Sequence, residues 1–180
     1  MKNADIYDFI NEVYKNDKSV LDFLIPHSES VAKLAVDIAK KQNADVDFVE
    51  RAALMHDIGI IFTDTPKLNC KGKAPYMQHG IYGQKLLEEH GFIREAIIAK
   101  THIGVGITIE HIIKNNLPLP AIDMYPTTLE EEIVSFADKF FSKRPEYLTT
   151  PKLLAEVEAD IKRYGDESYK TFKKWCVKFL

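Results

Sequence analysis

Apolar residues recur at spacings of three and four along most of the chain, and this periodicity predicts amphipathic helices. No segment shows the strict alternation of apolar and polar residues that is typical of a half-buried strand. The pattern therefore predicts an all-α fold, a single compact bundle of about eight helices. The clearest apolar faces are Val31, Leu34, Ala35 and Ile38, and then Leu129, Ile133, Phe136, Ala137 and Phe140.

Residues with known positional preferences mark the expected helix ends. Pro26 suits the first turn of a helix, where its missing N–H costs nothing. Asp47 followed by Glu50 resembles a capping box, and Thr128 with Glu131 is a clear one. These signals predict helices that begin near 26, at 45–47 and near 129.

The length of 180 residues favours one domain spanning residues 1–180. Its C-terminal part, about 150–179, reads as two packing helices. The first of them is predicted to begin with Thr150 as its cap and Pro151 at its first position.

Composition and charge describe an ordinary soluble protein, with 46% hydrophobic residues, 28% charged residues and a formal charge of −3. Acidic and basic residues are interspersed, and no stripe of basic residues is present that would indicate a nucleic-acid partner. No apolar run approaches the roughly 20 residues that span a membrane, and residues 1–8 lack a signal-peptide pattern. Cys70 and Cys176 are far apart and form no CxxC pair. A cytoplasmic protein with reduced thiols is therefore expected.

Two titratable residues, His56 and Asp57, stand side by side at the end of a predicted buried helix, and Gly59 is expected to stop that helix. Burying both side chains is costly unless each has a partner. One interpretation is an ordinary capping pair at a helix end. The other is a divalent metal ion, which imidazole nitrogen and carboxylate oxygen can both ligate.

Four further residues with metal-binding side chains fall on apolar helix faces or at helix ends: His27, His79, His102 and Asp138. Taken singly, such a histidine is more often a core residue with a hydrogen-bond partner, and the aspartate can form an ion pair with a lysine or arginine. Taken together, four inward histidines and two carboxylates indicate a metal site. Histidine richness favours Mn, Fe, Ni or Zn over Mg.

The order His…His-Asp…Asp resembles the HD superfamily of metal-dependent phosphohydrolases, and His56-Asp57-Ile58-Gly59 matches the frequent His-Asp-Ile-Gly form. The resemblance covers roughly residues 24–142. It implies a first metal bound by His27, His56, Asp57 and Asp138, with His56 and Asp57 central to catalysis. His79 and His102 match the additional histidines of family members with two metals, so one or two ions are expected, with two favoured.

The resemblance also restricts the class of substrate that is expected. The branch that degrades cyclic dinucleotides usually has adjacent histidines where this chain has His102 and Ile103, and its Gly-Tyr-Pro signature is absent here. That activity is therefore not expected. The pattern is closer to the bacterial dinucleoside tetraphosphate hydrolases. It implies hydrolysis of a phosphate ester or anhydride in a small nucleotide-like substrate by metal-activated water.

Basic residues near the predicted site are candidate phosphate contacts. Lys139 directly follows the last ligand of the motif. The loop at about 60–77 is rich in lysine, and it is either a cationic flap over the substrate or an ordinary solvated loop. The candidates are Lys139, Lys71, Lys73 and Arg144.

Two other functions are compatible with these residues. A regulatory or ligand-sensing module would keep the metal but not turn over a substrate. A purely structural helical protein with paired core histidines would bind no stoichiometric metal. The sequence does not identify the base, the sugar or the number of phosphates in the substrate. It does not identify the oligomeric state either.

Overall fold

The computed structural model describes residues 3–180, with side chains from Asp5 onward. The first two residues, part of the stretch without a signal-peptide pattern, lie outside it. Within the described residues the chain forms nine α-helices and one two-stranded antiparallel sheet, which confirms the all-α class. No helix in this part is long and apolar enough to cross a membrane. The helices are α1 (Asn3–Val13), α2 (Leu21–Gln42), α3 (Val46–Met55), α4 (His79–Glu89), α5 (Ile93–Thr101), α6 (Ile109–Lys114), α7 (Leu129–Asp138), α8 (Leu154–Lys162) and α9 (Asp166–Phe179).

The predicted apolar faces form one continuous core that reaches from α1 to α9. Helix α2 packs against α3 and α7, and α3 packs against α5. Aromatic rings join the C-terminal helix to this centre: Phe136 of α7 lies 5.5 Å from Phe172 and 5.2 Å from Phe179, between ring centroids. Each such fully buried side chain contributes about 1.5–3 kcal/mol.

The predicted position of Pro26 in a first helical turn is wrong. Helix α2 begins at Leu21, so Pro26 lies inside it. The helix extends in the N-terminal direction because Val20 and Leu24 are buried in the core. This packing offsets the backbone hydrogen bond that a proline cannot donate.

The caps of two other helices follow familiar chemistry. Thr128 caps α7 as predicted, since its hydroxyl accepts a hydrogen bond from the backbone N–H of Glu131 at 3.3 Å. Asp45, rather than the predicted Asp47, caps α3. Its carboxylate accepts from the N–H of Phe48 at 3.1 Å, the usual reach from a cap to the third helical residue.

Helix α8 begins at Leu154 and not beside Thr150 and Pro151 as predicted. The intervening backbone is held in a loop, because the N–H of Lys152 donates to the carbonyl of Phe140 at 2.7 Å. This long-range bond has no signature in the local sequence.

The lysine-rich loop contains two strands of two residues each, Asp64–Thr65 and Cys70–Lys71, where no strand was predicted. Strands this short cannot produce a readable alternation, so periodicity could not reveal them.

Gly59 does not stop α3, which ends at Met55. It lies in the 3₁₀ helix Ile58–Phe62, where the backbone of α4 approaches closely. A Cβ atom on Gly59 would lie only 2.2 Å from the backbone nitrogen of Gly83 and from the backbone oxygen of His79. The glycine therefore allows α4 to touch the segment that follows His56-Asp57.

A second glycine brings α4 against α5. A Cβ atom on Gly80 would lie 2.5 Å from the backbone oxygen of Ala99. This close approach sets His79, at the start of α4, beside His102, which directly follows α5. The glycines in His79-Gly80-Ile81-Tyr82-Gly83 thus position a histidine pair.

We expect Gly59→Ala to lower the melting temperature by about 5 °C or more. Overpacking a close backbone contact costs about 1–3 kcal/mol, and each kcal/mol corresponds to roughly 2–4 °C in a chain of this size. Gly83→Ala is the matched control, because its Cβ atom would meet Ala99 Cβ at an ordinary 3.4 Å. Thermal unfolding followed by circular dichroism compares the two. Equal melting temperatures would contradict the packing role of Gly59.

Candidate metal centre

The six side chains predicted as metal ligands converge on one site. Helix α2 carries one histidine on its buried face, and the other five residues lie at or next to the ends of α3, α4, α5 and α7. Five of them are almost completely buried, and only the last aspartate is partly exposed, at 11% of its side chain. The six are His27, His56, Asp57, His79, His102 and Asp138.

One half of the cluster surrounds Oδ2 of Asp57. The Nε2 atoms of His27 and His56 lie 3.3 and 3.2 Å from this oxygen. The same two nitrogens lie 3.2 and 3.5 Å from Oδ1 of Asp138. Two imidazoles and two carboxylates thus point their donor atoms at one another.

The other half surrounds Oδ1 of Asp57. The Nε2 atoms of His79 and His102 lie 3.2 and 3.6 Å from this oxygen, and 3.1 Å from each other. The two oxygens of a single carboxylate therefore face two different pairs of histidines. This is the arrangement that a carboxylate needs in order to bridge two cations.

Backbone carbonyls fix the orientation and tautomer of three of these histidines. A carbonyl oxygen only accepts hydrogen bonds, so each contacting Nδ1 carries a proton, and in the neutral ring each Nε2 presents a lone pair to the cluster. Such outer partners typically orient metal-binding histidines. The contacts are His56 Nδ1 to Ala53 O at 2.6 Å, His79 Nδ1 to Tyr76 O at 2.7 Å and His102 Nδ1 to Ala99 O at 2.8 Å.

Several buried polar atoms in the cluster lack hydrogen-bond partners: both ring nitrogens of His27, Nε2 of His56 and Oδ1 of Asp57. Buried polar groups are almost always satisfied, because an unsatisfied one costs free energy. A cation between these atoms would satisfy most of them at once. The donor set therefore fits a metal ion, and two groups of three residues already have donor atoms within 4.8 Å of one another.

The charges in the cluster are strongly coupled. Burial opposes protonation of His56, but the carboxylates of Asp57 and Asp138 outweigh it and raise the histidine pKa to about 9. Burial lowers the pKa of His102 to about 4, which keeps this ring neutral at pH 7. Although burial acts against it, Lys143 and His56 hold the pKa of Asp57 well below its usual value. The pKa of Asp138 is also well below its usual value, since the effect of burial is outweighed by Lys139 and the neighbouring histidines, so both aspartates are ionised and need cationic partners.

Two lysines provide such partners. Lys139 donates to Oδ2 of Asp138 at 2.8 Å and to the carbonyl oxygen of His102 at 3.1 Å. Asp138 therefore forms the expected ordinary ion pair with one oxygen and turns its other oxygen to the histidines. Lys143, which was not among the predicted site residues, forms a buried ion pair with Oδ2 of Asp57. It follows the end of α7 in a non-helical segment, so no periodicity predicts its direction.

A cavity of about 680 Å³ opens onto the cluster. His79, His102 and Asp138 reach its wall from the metal-binding side. Its basic and aromatic lining consists of Lys67, Lys139, Lys143, Arg144, Lys152, Tyr76, Phe141 and Tyr164. The predicted phosphate contacts Lys139 and Arg144 therefore lie at the site.

The structure does not bring Lys71 and Lys73 to the cluster. They line a separate depression together with Asp17 and Tyr82. Among the three lysines of the same loop, only Lys67 lines the cavity of the site. The loop turns Lys71 and Lys73 away from the site because its own backbone bonds fold it back. The N–H of Gly72, for example, donates to the carbonyl of Thr63 at 2.9 Å.

Comparison with known proteins supports the family relationship. Residues 24–142 match the model of the HD domain. A tRNA (cytidine(56)-2'-O)-methyltransferase of Thermoplasma volcanium is 38% identical over 122 residues, which are 67% of this chain and 32% of that protein. An uncharacterized protein of Methanocaldococcus jannaschii is 38% identical over 133 residues, 72% of this chain and 71% of the relative. The chain thus spans only about a third of the methyltransferase.

Solved structures show the same fold. The HD domain of the L. monocytogenes phosphodiesterase PgpH superposes with a TM-score of 0.53 at 18% sequence identity, covering 87% of this chain and 92% of that one. The same domain in complex with cyclic-di-AMP gives a TM-score of 0.52. Since the matched residues 24–142 also contain every member of the histidine–aspartate cluster, the chain belongs to the HD-domain family.

Proposed function

We propose that the chain is a metal-dependent phosphohydrolase with a two-metal centre. The observation that carries this proposal is the carboxylate of Asp57, whose two oxygens face two separate pairs of histidines. His27, His56, Asp57 and Asp138 would hold one ion. His79 and His102 would hold the second, with Asp57 shared between them.

The donor set also suggests which metals bind. Four imidazoles and two carboxylates favour Mn, Fe, Ni or Zn over Mg, which prefers oxygen ligands alone. When bound, such ions lower the pKa of water towards neutrality and stabilise negative charge that develops on a phosphoryl group. The protein supplies the buried, oriented Nε2 lone pairs and the two ionised carboxylates that this requires.

The cationic wall of the cavity supports a phosphorylated substrate. Lys139 is fixed by two hydrogen bonds, so its ammonium group is held in place beside the cluster. Arg144 is exposed, with 61% of its side chain accessible, and Lys67 lies on the surface loop, so both can adjust to a bound phosphate. Arginine and lysine bind phosphate through charge-assisted hydrogen bonds.

The same cavity supports a nucleotide-like substrate. Tyr76, Phe141 and Tyr164 line it together with the basic residues, so an aromatic base and a phosphate can be held in one space. Dinucleoside tetraphosphates, favoured by the histidine pattern, are one member of this class. The PgpH domain binds cyclic-di-AMP. Ile103 in place of a second adjacent histidine argues against that substrate for this chain.

We expect purified protein to carry one to two transition ions per chain, because the cluster contains buried imidazole nitrogens without hydrogen-bond partners beside two carboxylates. Elemental analysis after reconstitution with Mn, Fe, Ni or Zn measures this content. A protein that takes up no stoichiometric metal would contradict both the enzyme and the metal-binding regulatory module. It would leave a structural helical protein as the better description.

Turnover distinguishes the enzyme from the regulatory module. The metal-loaded protein is assayed against phosphate monoesters, nucleoside di- and triphosphates, dinucleoside tetraphosphates and cyclic dinucleotides, with release of phosphate or nucleotide as the readout. The Asp57→Asn variant, purified by the same procedure, serves as the control for contaminating phosphatases. Hydrolysis by the wild type alone supports the proposal. Tight binding of a nucleotide without hydrolysis would instead favour the regulatory module.

A further inference from the structure

Lys143 lies where it must compete with a metal ion. Its ammonium group contacts Oδ2 of Asp57, the same oxygen that faces Nε2 of both His27 and His56. Only 14% of the lysine side chain is exposed, so solvent screens its charge weakly. A cation held by these histidines and a lysine on the same oxygen would be close neighbours of like charge.

The charge balance of the cluster adds to the repulsion between Lys143 and a bound cation. The carboxylates of Asp57 and Asp138 carry two negative charges, and Lys143 and Lys139 carry two positive charges. Histidines are neutral when they ligate a metal. The lysines alone therefore neutralise the site, and a divalent ion makes it net positive unless a lysine withdraws or an anion arrives.

The side chain of Lys143 has a second position available to it, in the cavity. Its side chain lines the cavity together with Arg144 and Lys139, and Tyr76 lies on the same wall. Rotation of its flexible side chain towards the cavity would exchange the carboxylate of Asp57 for whatever anion the cavity holds.

We propose that Lys143 is an exchangeable cation that stands in for the first metal on Asp57 and turns to the substrate phosphate when the metal binds. This inference rests on the proposed metal site but not on turnover. It makes metal binding and anion binding mutually favourable, and thermodynamic linkage requires the effect to be equal in both directions.

Metal affinity in the absence of substrate tests the first half of the proposal. Free Mn²⁺ is measured by electron paramagnetic resonance during titration of the wild type, Lys143→Met and Lys143→Arg. We expect Lys143→Met to bind Mn²⁺ at least about tenfold more tightly, since a close like charge shifts such equilibria by one pKa unit or more. Lys143→Arg keeps the charge and should stay near the wild type. Lys152→Met is the matched control, because Lys152 lines the same cavity but pairs with Asp160.

Inorganic phosphate tests the second half. It should tighten Mn²⁺ binding to the wild type and to Lys152→Met, and it should lose most of this effect in Lys143→Met. Equal Mn²⁺ affinities in the wild type and Lys143→Met, or an unchanged effect of phosphate, would overturn the proposal even if the protein hydrolyses nucleotides. Conversely, the expected affinities would uphold it even if no substrate in the panel is cleaved.

If Lys143→Met folds poorly, its melting temperature with and without Mn²⁺ still tests the proposal. Without metal, this variant leaves the buried carboxylate of Asp57 unpaired, so a lower melting temperature is expected. Mn²⁺ should then raise the melting temperature of the variant more than that of the wild type. A variant that stays unfolded at saturating Mn²⁺ would overturn the proposal, because a stand-in for the metal must be dispensable once the metal is bound.

Discussion

Replacing Asp57 with asparagine should reduce hydrolysis by about 10⁴-fold or more while the helical fold persists. Groups that act as one catalytic unit lose nearly all activity when a single member is removed. Asp57 has the largest expected effect because its two oxygens face both histidine pairs. A neutral amide is a weaker ligand on both sides, so metal content should fall as well. Elemental analysis and the rate of phosphate release measure the two losses.

Asp64→Asn is the matched control for this variant. Asp64 lies in the nearby loop, and its side chain is exposed. This substitution makes the same chemical change outside the cluster and should leave metal content and rate unchanged. If Asp57→Asn kept its activity within a few-fold of the wild type, His56-Asp57 would be a structural pair at a helix end, and the proposed centre would be wrong. Circular dichroism of both variants excludes unfolding as the cause.

The sequence was most informative where helices carry the site. Burial and the period of 3.6 residues together determine which way a helical side chain points, so His27 on α2 and Asp138 on α7 could be assigned to the interior. His79 and His102 were also predictable, because glycines and apolar neighbours mark the helix ends on which they lie. The order of these residues then identified the family.

The loops around the site could not be predicted in the same way. Lys71 and Lys73 are close to His79 in sequence, yet the hairpin directs them to another surface. Lys143 reaches Asp57 from a non-helical segment whose path depends on tertiary contacts. In both cases the direction of a lysine is set by backbone contacts outside regular helices. Such contacts produce no periodic pattern of apolar residues in the sequence. That residues 1–180 form one domain also stays a prediction.

The double substitution His79→Ala with His102→Ala should halve the metal content of the fully loaded protein and lower kcat by about 10²-fold or more. These Nε2 atoms lie 3.1 Å apart, and their Nδ1 atoms contact backbone carbonyls, so two lone pairs face each other in a buried space. A second ion would relieve this repulsion. Loss of one strong electrostatic stabiliser typically costs 10²–10³-fold in rate. The ion held by His27, His56, Asp57 and Asp138 should remain.

The matched control is His90→Ala with His111→Ala, which removes the two histidines outside the cluster. It should retain full metal content and full rate. Metal per chain and single-turnover rates, measured on the same preparations, separate loss of an ion from loss of substrate binding. Full metal content and rate in the His79/His102 variant would mean that the centre holds one ion. The two histidines would then belong to the core, and Asp57 would ligate through Oδ2 alone.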